Sequence, residues 1–306
     1  MLEETIKNKL GVKSLTPFGG STGGCISRAR GYHTEEYGNI FIKFNNKPQA
    51  KVMFDGEFAS LEAMHSTNTI HVPKPIMSIS EGGQSCIVTE YLELNGPPKA
   101  SELGTQLAKM HLHNSTLLAA AEHSDSFVGG PEKTPQPVKQ FGFHTTTCCG
   151  YYAQPNEWSD NWVEFFARNR LKFQIDMLLE KTGDRDLLNL WPLLERKIPS
   201  YFDCGEIIPS ILHGDLWSGN YSYDKNGPVI FDPASFYGHS EYEMGIMSMF
   251  GGFATEVFTA YHNLIPKAPG FYERIQLYEL FHHLNHWNHF GAGYKHGSLN
   301  LMQSLS

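Results

Sequence analysis

Asp215 and Asn220 stand five residues apart in the run His213-Gly214-Asp215-Leu216-Trp217-Ser218-Gly219-Asn220, and Asp232 closes the apolar segment Val229-Ile230-Phe231. These are the residues whose types and spacing point most directly to chemistry. Phosphoryl transfer needs one carboxylate to orient the attacking hydroxyl and accept its proton. It also needs an amide oxygen and a second carboxylate to hold the magnesium that screens the nucleotide phosphates. Asp215 fits the catalytic role, and Asn220 and Asp232 fit the Mg2+ roles. A His-Gly-Asp turn is common in loops, but these fixed positions followed by a strand-borne Asp form a kinase signature. The cofactors this implies are ATP and Mg2+.

Such residues have to be positioned by other elements. Gly19-Gly20-Ser21-Thr22-Gly23-Gly24-Cys25 is a glycine cluster whose backbone N–H groups can approach phosphates without Cβ obstruction, Gly23 and Gly24 above all. Asn39 to Phe44 reads as a strand with Lys43 among apolar residues, placed to reach the phosphates. Met53 to His65 has helical apolar spacing and offers Glu57 as the partner of Lys43, with Glu62 as the competing carboxylate. Cys86 to Leu92 reads as a strand entering the Asn95-Gly96-Pro97-Pro98 linker. Within it Val88, Thr89, Glu90, Tyr91 and Leu92 form the hinge that would meet adenine. The expected fold is α+β and bilobal, with a small β-rich lobe over residues 1–95 and a larger helical lobe over 96–306. In the second lobe, helices are predicted over Leu103–His113, Trp162–Leu179, Leu187–Leu194, 241–263 and 271–290. A polar loop is expected over 123–140, and a hairpin turning at Asp224-Lys225-Asn226-Gly227 follows the catalytic loop.

Composition bounds the remainder. No apolar run reaches the ~20 residues of a membrane span, and the acidic start Met1-Leu2-Glu3-Glu4 does not resemble a targeting signal. A net charge of −8 without a basic stripe argues against nucleic acid. Cys25, Cys86, Cys148, Cys149 and Cys204 form neither a disulfide framework nor a zinc pattern, which indicates a reducing, cytoplasmic setting. Gly214 stands where protein kinases carry the arginine of His-Arg-Asp, and Pro233 follows Asp232 instead of Phe-Gly. No Ala-Pro-Glu element follows, so a small-molecule acceptor is favoured over a peptide.

On the acceptor side, Trp217 offers an indole face for a sugar or a neighbouring amine. His282, His286 and His289 share one helical face. Readings for this cluster are a metal site, a hydrogen-bonded core, or an acceptor wall to which His286, Asn285 or Trp287 contributes. No acidic or Cys partner lies nearby in sequence to support the metal reading.

Leu212 to Asn220 closely resembles the fructosamine-3-kinase/ketosamine-3-kinase family, as do Phe141-Gly142-Phe143-His144 with Cys148-Cys149-Gly150, Phe231 to Gly238, and Leu284 to Gly291. The likeness runs from about Phe18 to the C-terminus, weakens around 115–140, and is strongest towards the animal ketosamine-3-kinases. It implies a protein-kinase-like fold of the aminoglycoside-phosphotransferase type. It also implies ATP-dependent phosphorylation of the 3-hydroxyl of ketosamines (ribulosamine, psicosamine or fructosamine) on free amines or glycated proteins, leading to deglycation. By the same resemblance Asp215 is the proton acceptor, Asn220 and Asp232 are the magnesium ligands, Lys43 and Glu57 are the phosphate-positioning pair, and Trp217 and His286 are sugar contacts. The similarity leans towards the ribulosamine and psicosamine branch.

A thiol in a phosphate-cradling loop is oxidisable, which makes Cys25 a redox candidate. The expected unit is a monomer, or a dimer linked through Cys25. Competing functions are a kinase for another small amine or sugar acceptor, and a nucleotide-binding pseudokinase. Intact Lys43, Asp215, Asn220 and Asp232 speak against the latter.

Overall fold

The computed structural model describes residues 2–23, 27–124 and 136–306. Gly24 and Cys25, and most of the loop expected over 123–140, lie outside the described residues.

Helix α1 (Leu2–Leu10) precedes strands β1 (Thr16–Gly23), β2 (Arg28–Thr34) and β3 (Gly38–Asn45). Helix α2 (Ala50–Ser66), strands β4 (Pro75–Glu81) and β5 (Gln84–Glu90) complete the first lobe. The strands form one antiparallel sheet in the order β1-β2-β3-β5-β4. Strand alternation sorts β3 into two faces. Ile40 and Ile42 join Cys86 and Val88 in a small core that also takes Leu2, Ile6 and Leu10 of α1. Phe41 and Lys43 take the opposite face and line a cleft. Helix α1 was not anticipated. Its apolar residues recur every four positions, with acidic residues in its first turn and basic ones in its last, as the helix dipole favours. The strand expected to run through Leu92 ends at Glu90, and residues 91–99 carry no regular structure.

The second lobe begins with α3 (Ala100–Ser124), longer than its predicted core of Leu103–His113 because Leu117 to Ala121 continue the helix. A small hairpin, β6 (Thr147–Cys149) and β7 (Tyr152–Gln154), leads to one long helical run. That run is α4 (Trp162–Phe166), a π segment (Ala167–Lys172) and α5 (Phe173–Thr182). Arg170 in the π segment is fully buried. Its guanidinium lies 3.9 Å from the Phe236 ring centroid and donates to Pro155 O (2.7 Å) and Asn156 Oδ1 (2.8 Å). Asn156 in turn donates to Thr147 Oγ1 at 2.8 Å, so the buried cation fixes the small hairpin.

Helix α6 (Arg185–Lys197) is followed by four short strands: β8 (Ser210–Ile211), β9 (Tyr221–Tyr223), β10 (Pro228–Ile230) and β11 (Tyr237–Gly238). β9 and β10 pair around the anticipated turn, where Asp224 Oδ1 accepts from the N–H groups of Asn226 (2.7 Å) and Gly227 (2.9 Å). The chain closes with α7 (Glu243–Phe250), α8 (Thr255–His262), α9 (Phe271–Phe290) and α10 (Lys295–Leu305). The single helix expected over 241–263 is therefore two helices. Gly251 (φ 62°) and Gly252 (φ 84°) adopt left-handed backbone that ends α7. The break has a purpose in the packing: a Cβ on Gly252 would lie 2.6 Å from Ser218 Cβ in the catalytic loop.

Another close approach ties the lobes together. A Cβ at Gly56 of α2 would collide with the carbonyl oxygen of Thr146 and lie 2.9 Å from Thr147 Cα. Residue 56 directly precedes Glu57, so this bare backbone sets how deep α2 seats. Gly56→Ala is expected to cost about 1–3 kcal/mol through overpacking, read by urea unfolding. A variant as stable as the parent would contradict this role.

Candidate active site

The cleft between the sheet and the helical lobe has a volume of ≈ 530 Å³. Its walls include Lys43, Glu57, Thr89, Glu90, Tyr91, Leu92, Asp215, Trp217, Asn220 and Asp232. Most of the residues singled out in the sequence therefore come together in one place. Val88 does not share this wall: it is fully buried on the opposite face of β5, in the small core under α1. Strand alternation sends Thr89 to the cleft and Val88 away from it.

Lys43 Nζ donates to Glu57 Oε1 at 2.6 Å and also contacts Asp232 Oδ1. Glu62 is exposed and takes no part. Burial alone would lower the Lys43 pKa, but the carboxylates of Asp232 and Glu57 hold it above its ordinary value, so the ammonium stays charged. Carboxylates outnumber cations among the described lining residues, since Lys43 faces Glu57, Glu90, Asp215 and Asp232. An additional cation would be stabilised here.

The hinge already commits part of its backbone. Glu90 N–H donates to Lys74 O (2.9 Å) and Tyr91 N–H to Asn39 O (3.3 Å). Among the described residues the N–H of Leu92 has no hydrogen-bond acceptor. Gly23 ends β1 opposite Arg28.

The catalytic loop is held from beneath by a residue the sequence reading missed. Glu243, fully buried at the start of α7, accepts from His213 N–H (2.6 Å) and Gly214 N–H (3.0 Å). His111 Nε2 lies 3.5 Å from the same carboxylate. Burial opposes ionisation of Glu243, yet His111 and the loop N–H donors keep its pKa below the ordinary value. His213 Nδ1 accepts from Asp215 N–H (3.2 Å), so Nε2 carries the ring proton and donates to Phe231 O (2.8 Å). Gly214 has φ 83°, and a Cβ there would collide with Ala234 O. The arginine of protein kinases cannot occupy this position.

Asn220 Nδ2 donates to Asp215 O (2.9 Å) and Asp232 O (3.5 Å), which leaves its Oδ1 as the free acceptor. Asp232 carries a left-handed backbone (φ 59°), and its side chain is 48% exposed. An amide oxygen and a half-exposed carboxylate are the donors a hard divalent cation prefers, so this pair fits magnesium. Burial pushes the Asp215 pKa well above the carboxylate range, and the charges of Asp232 and Glu243 push the same way.

Trp217 is 41% exposed and packs edge-on against Phe250, with centroids 6.2 Å apart. A Cβ on Gly219 would collide with its indole, so glycine lets the ring lie flat over the loop. His286 stands behind Phe250 (5.1 Å) and is not among the cleft-lining residues; its Nδ1 donates to His282 O at 2.7 Å. His289 is satisfied at both nitrogens, by Asn285 O (2.7 Å) and Tyr151 N–H (2.8 Å). The fold does bring Cys149 and Asp215 to His282. This grouping is not visible in the sequence, because the three lie far apart along the chain.

A sheet-borne lysine paired to a helix glutamate, above a loop presenting Asp, Asn and a second Asp, defines a protein-kinase-like phosphotransferase. The fold agrees: a solved structure of a candidate fructosamine-3-kinase from Haemophilus somnus superposes with a TM-score of 0.77, covering 99% of this chain and 96% of that one at 22% identity. The chain belongs to the fructosamine kinase family, whose model matches residues 2–306. It is 51% identical to mouse ketosamine-3-kinase over the full length of both chains. It is 37% identical to the chloroplastic protein-ribulosamine 3-kinase of Arabidopsis thaliana, over 94% of this chain and 82% of the relative.

Glu243→Ala would leave two buried N–H groups of the catalytic loop without an acceptor. The expected cost is about 3–5 kcal/mol, measured by chemical unfolding. A loss below about 1 kcal/mol would show that the loop is held by other means.

Proposed function

We propose that this protein transfers the terminal phosphoryl group of ATP to the 3-hydroxyl of a ketosamine, as a free amine adduct or on a glycated protein. One observation carries the reading. The Asp215 carboxylate stands in the same cleft as the Lys43–Asp232 contact and the exposed Trp217 face, in a chain of the fructosamine kinase family. Family membership and the names of the relatives, ketosamine-3-kinase and protein-ribulosamine 3-kinase, support the acceptor class.

The residues divide the work as follows. Lys43, oriented by Glu57, binds the nucleotide phosphates, and the Leu92 N–H meets adenine. Gly23 stands at the start of the phosphate loop; Gly24 and Cys25 lie outside the described residues. Asn220 Oδ1 and the Asp232 carboxylate would hold Mg2+, which would neutralise charge on the phosphates. Asp215 orients the acceptor hydroxyl and accepts its proton. Trp217 forms the wall for the sugar and its amine, backed by Phe250, and His286 supports that wall from behind. Enolisation of the C2 ketone towards C1 expels a phosphate placed at C3 by β-elimination, and water then hydrolyses the resulting C1 imine, releasing the amine and a dicarbonyl.

The lobe boundary between residues 95 and 96 belongs to the same proposal. From Gly96 the chain is bound to the second lobe, its N–H donating to Tyr223 O at 2.8 Å. The working unit is a monomer, or a dimer through Cys25, a residue outside those described. Among the described residues Cys86, Cys148, Cys149 and Cys204 are free, and no helix is long and apolar enough to cross a membrane. Free thiols support a reducing, cytoplasmic setting.

ADP release from Mg-ATP with ribulosyl-lysine and fructosyl-lysine as parallel acceptors tests the assignment. Turnover should fall about 10²–10⁴-fold in Asp215→Asn, with ATP binding retained. Equal rates in variant and parent, or no turnover with either acceptor while ATP binds, would overturn it.

A further inference from the structure

Three groups meet behind the catalytic loop that phosphotransfer does not use as a set. Cys149 of β6, Asp215 of the loop and His282 of α9 each offer a ligand atom, and these atoms all lie within 4.8 Å of one another. His282 is 0% exposed, and neither ring nitrogen has a hydrogen-bond partner among the described residues. A buried imidazole left unsatisfied at both nitrogens is costly, about 1–3 kcal/mol for each lost partner. Its ring neighbours, Phe281 (4.9 Å) and Tyr242 (5.5 Å), supply packing but no hydrogen bond to it. Cys149 is 1% exposed, and Asn285 Nδ2 donates to its Sγ at 3.2 Å, a contact that favours negative charge on sulfur.

We propose that Cys149, Asp215 and His282 form a site for a zinc-class transition-metal ion, distinct from the magnesium position at Asn220 and Asp232, and that metal bound there arrests phosphotransfer by occupying the Asp215 carboxylate. The donor set of sulfur, imidazole nitrogen and carboxylate oxygen suits zinc, whereas magnesium keeps to oxygen ligands. Zinc bond lengths of about 2.0–2.3 Å place neighbouring tetrahedral ligands roughly 3.3–3.8 Å apart. The three groups therefore need to close by at most roughly 1.0–1.5 Å. Asp215 lines the cleft, which provides the route in and a water for the fourth position. Burial, reinforced by the charge of Asp215, keeps the free Cys149 thiol protonated. Binding therefore forms a metal–sulfur bond, breaks the S–H bond and releases that proton to solvent. The inhibitory half of the proposal rests on Asp215 as proton acceptor, and the binding half does not.

Cobalt(II) added to the full-length reduced protein, in excess Mg2+, reads the site directly through the ultraviolet charge-transfer band of a cobalt–thiolate bond. One equivalent should produce the band, and zinc should abolish it. Cys149→Ser and His282→Asn should each remove or weaken it at least tenfold, while Cys148→Ala and His283→Asn keep it. Unchanged thermal unfolding would certify that each variant is folded. Zinc should inhibit the parent enzyme, a chelator should restore it, and His282→Asn should need at least tenfold more zinc. No band, or a band that survives in both folded site variants, overturns the site. Zinc bound through the site with undiminished turnover overturns the inhibition and the place of Asp215 among the ligands. Loss of the assigned kinase reaction would leave the cobalt spectrum unchanged, so the two proposals fail separately.

Discussion

The ammonium of Lys43, held between Glu57 on α2 and Asp232 on the second lobe, is the interaction on which the rest of the site depends. It joins three elements far apart in sequence: a sheet strand, the helix behind it, and the loop that follows β10. Two charges about 4 Å apart attract by roughly 4 kcal/mol at an effective dielectric of 20, and removing one member of such a set leaves the others buried without compensation. The arrangement also leaves negative charge in the cleft. Burial, reinforced by the charges of Asp232 and Glu243, keeps the Asp215 proton affinity high. A surplus of negative charge of this kind is relieved by a bound cation.

Rigidity beneath the cleft comes from backbone rather than from large side chains. Glu243 ties down two N–H groups of the catalytic loop, Ala234 N–H donates to His213 O (2.8 Å) and Phe231 N–H to Asn220 O (3.0 Å). The 213–220 loop and the 231–234 segment are thus zipped together. Asp232 keeps a left-handed backbone, a conformation worth about 1–3 kcal/mol of strain for a non-glycine residue, and it does so where a carboxylate must be aimed. Gly214, Gly219 and Gly252 serve the same end by letting backbone or an indole approach where a Cβ would collide.

How much of this was legible in the sequence depended on the range of the interaction. Lys43 with Glu57, and Asp215 with Asn220 and Asp232, were readable because phosphotransfer dictates residue types at near-fixed spacing. The long helices α2 and α9 showed their apolar periodicity. Helix α1 has the same periodicity in Leu2, Ile6 and Leu10, but over so few residues that it carried little weight. The break at Gly251–Gly252 was visible as a glycine pair, yet only the contact with Ser218 explains why the chain stops there. Val88 was misplaced because the hinge was read as a segment rather than as alternating faces. Glu243 and the Cys149–Asp215–His282 group could not be seen at all, since each is defined by contacts across tens of residues and by burial.

The position of the phosphate on the product tests the functional reading most directly. After turnover with ribulosyl-lysine and Mg-ATP, phosphorus-to-proton coupling in the NMR spectrum of the promptly isolated product should assign the new ester to the sugar 3-oxygen. A phosphate on another sugar oxygen, on a protein side chain, or on no acceptor would contradict it.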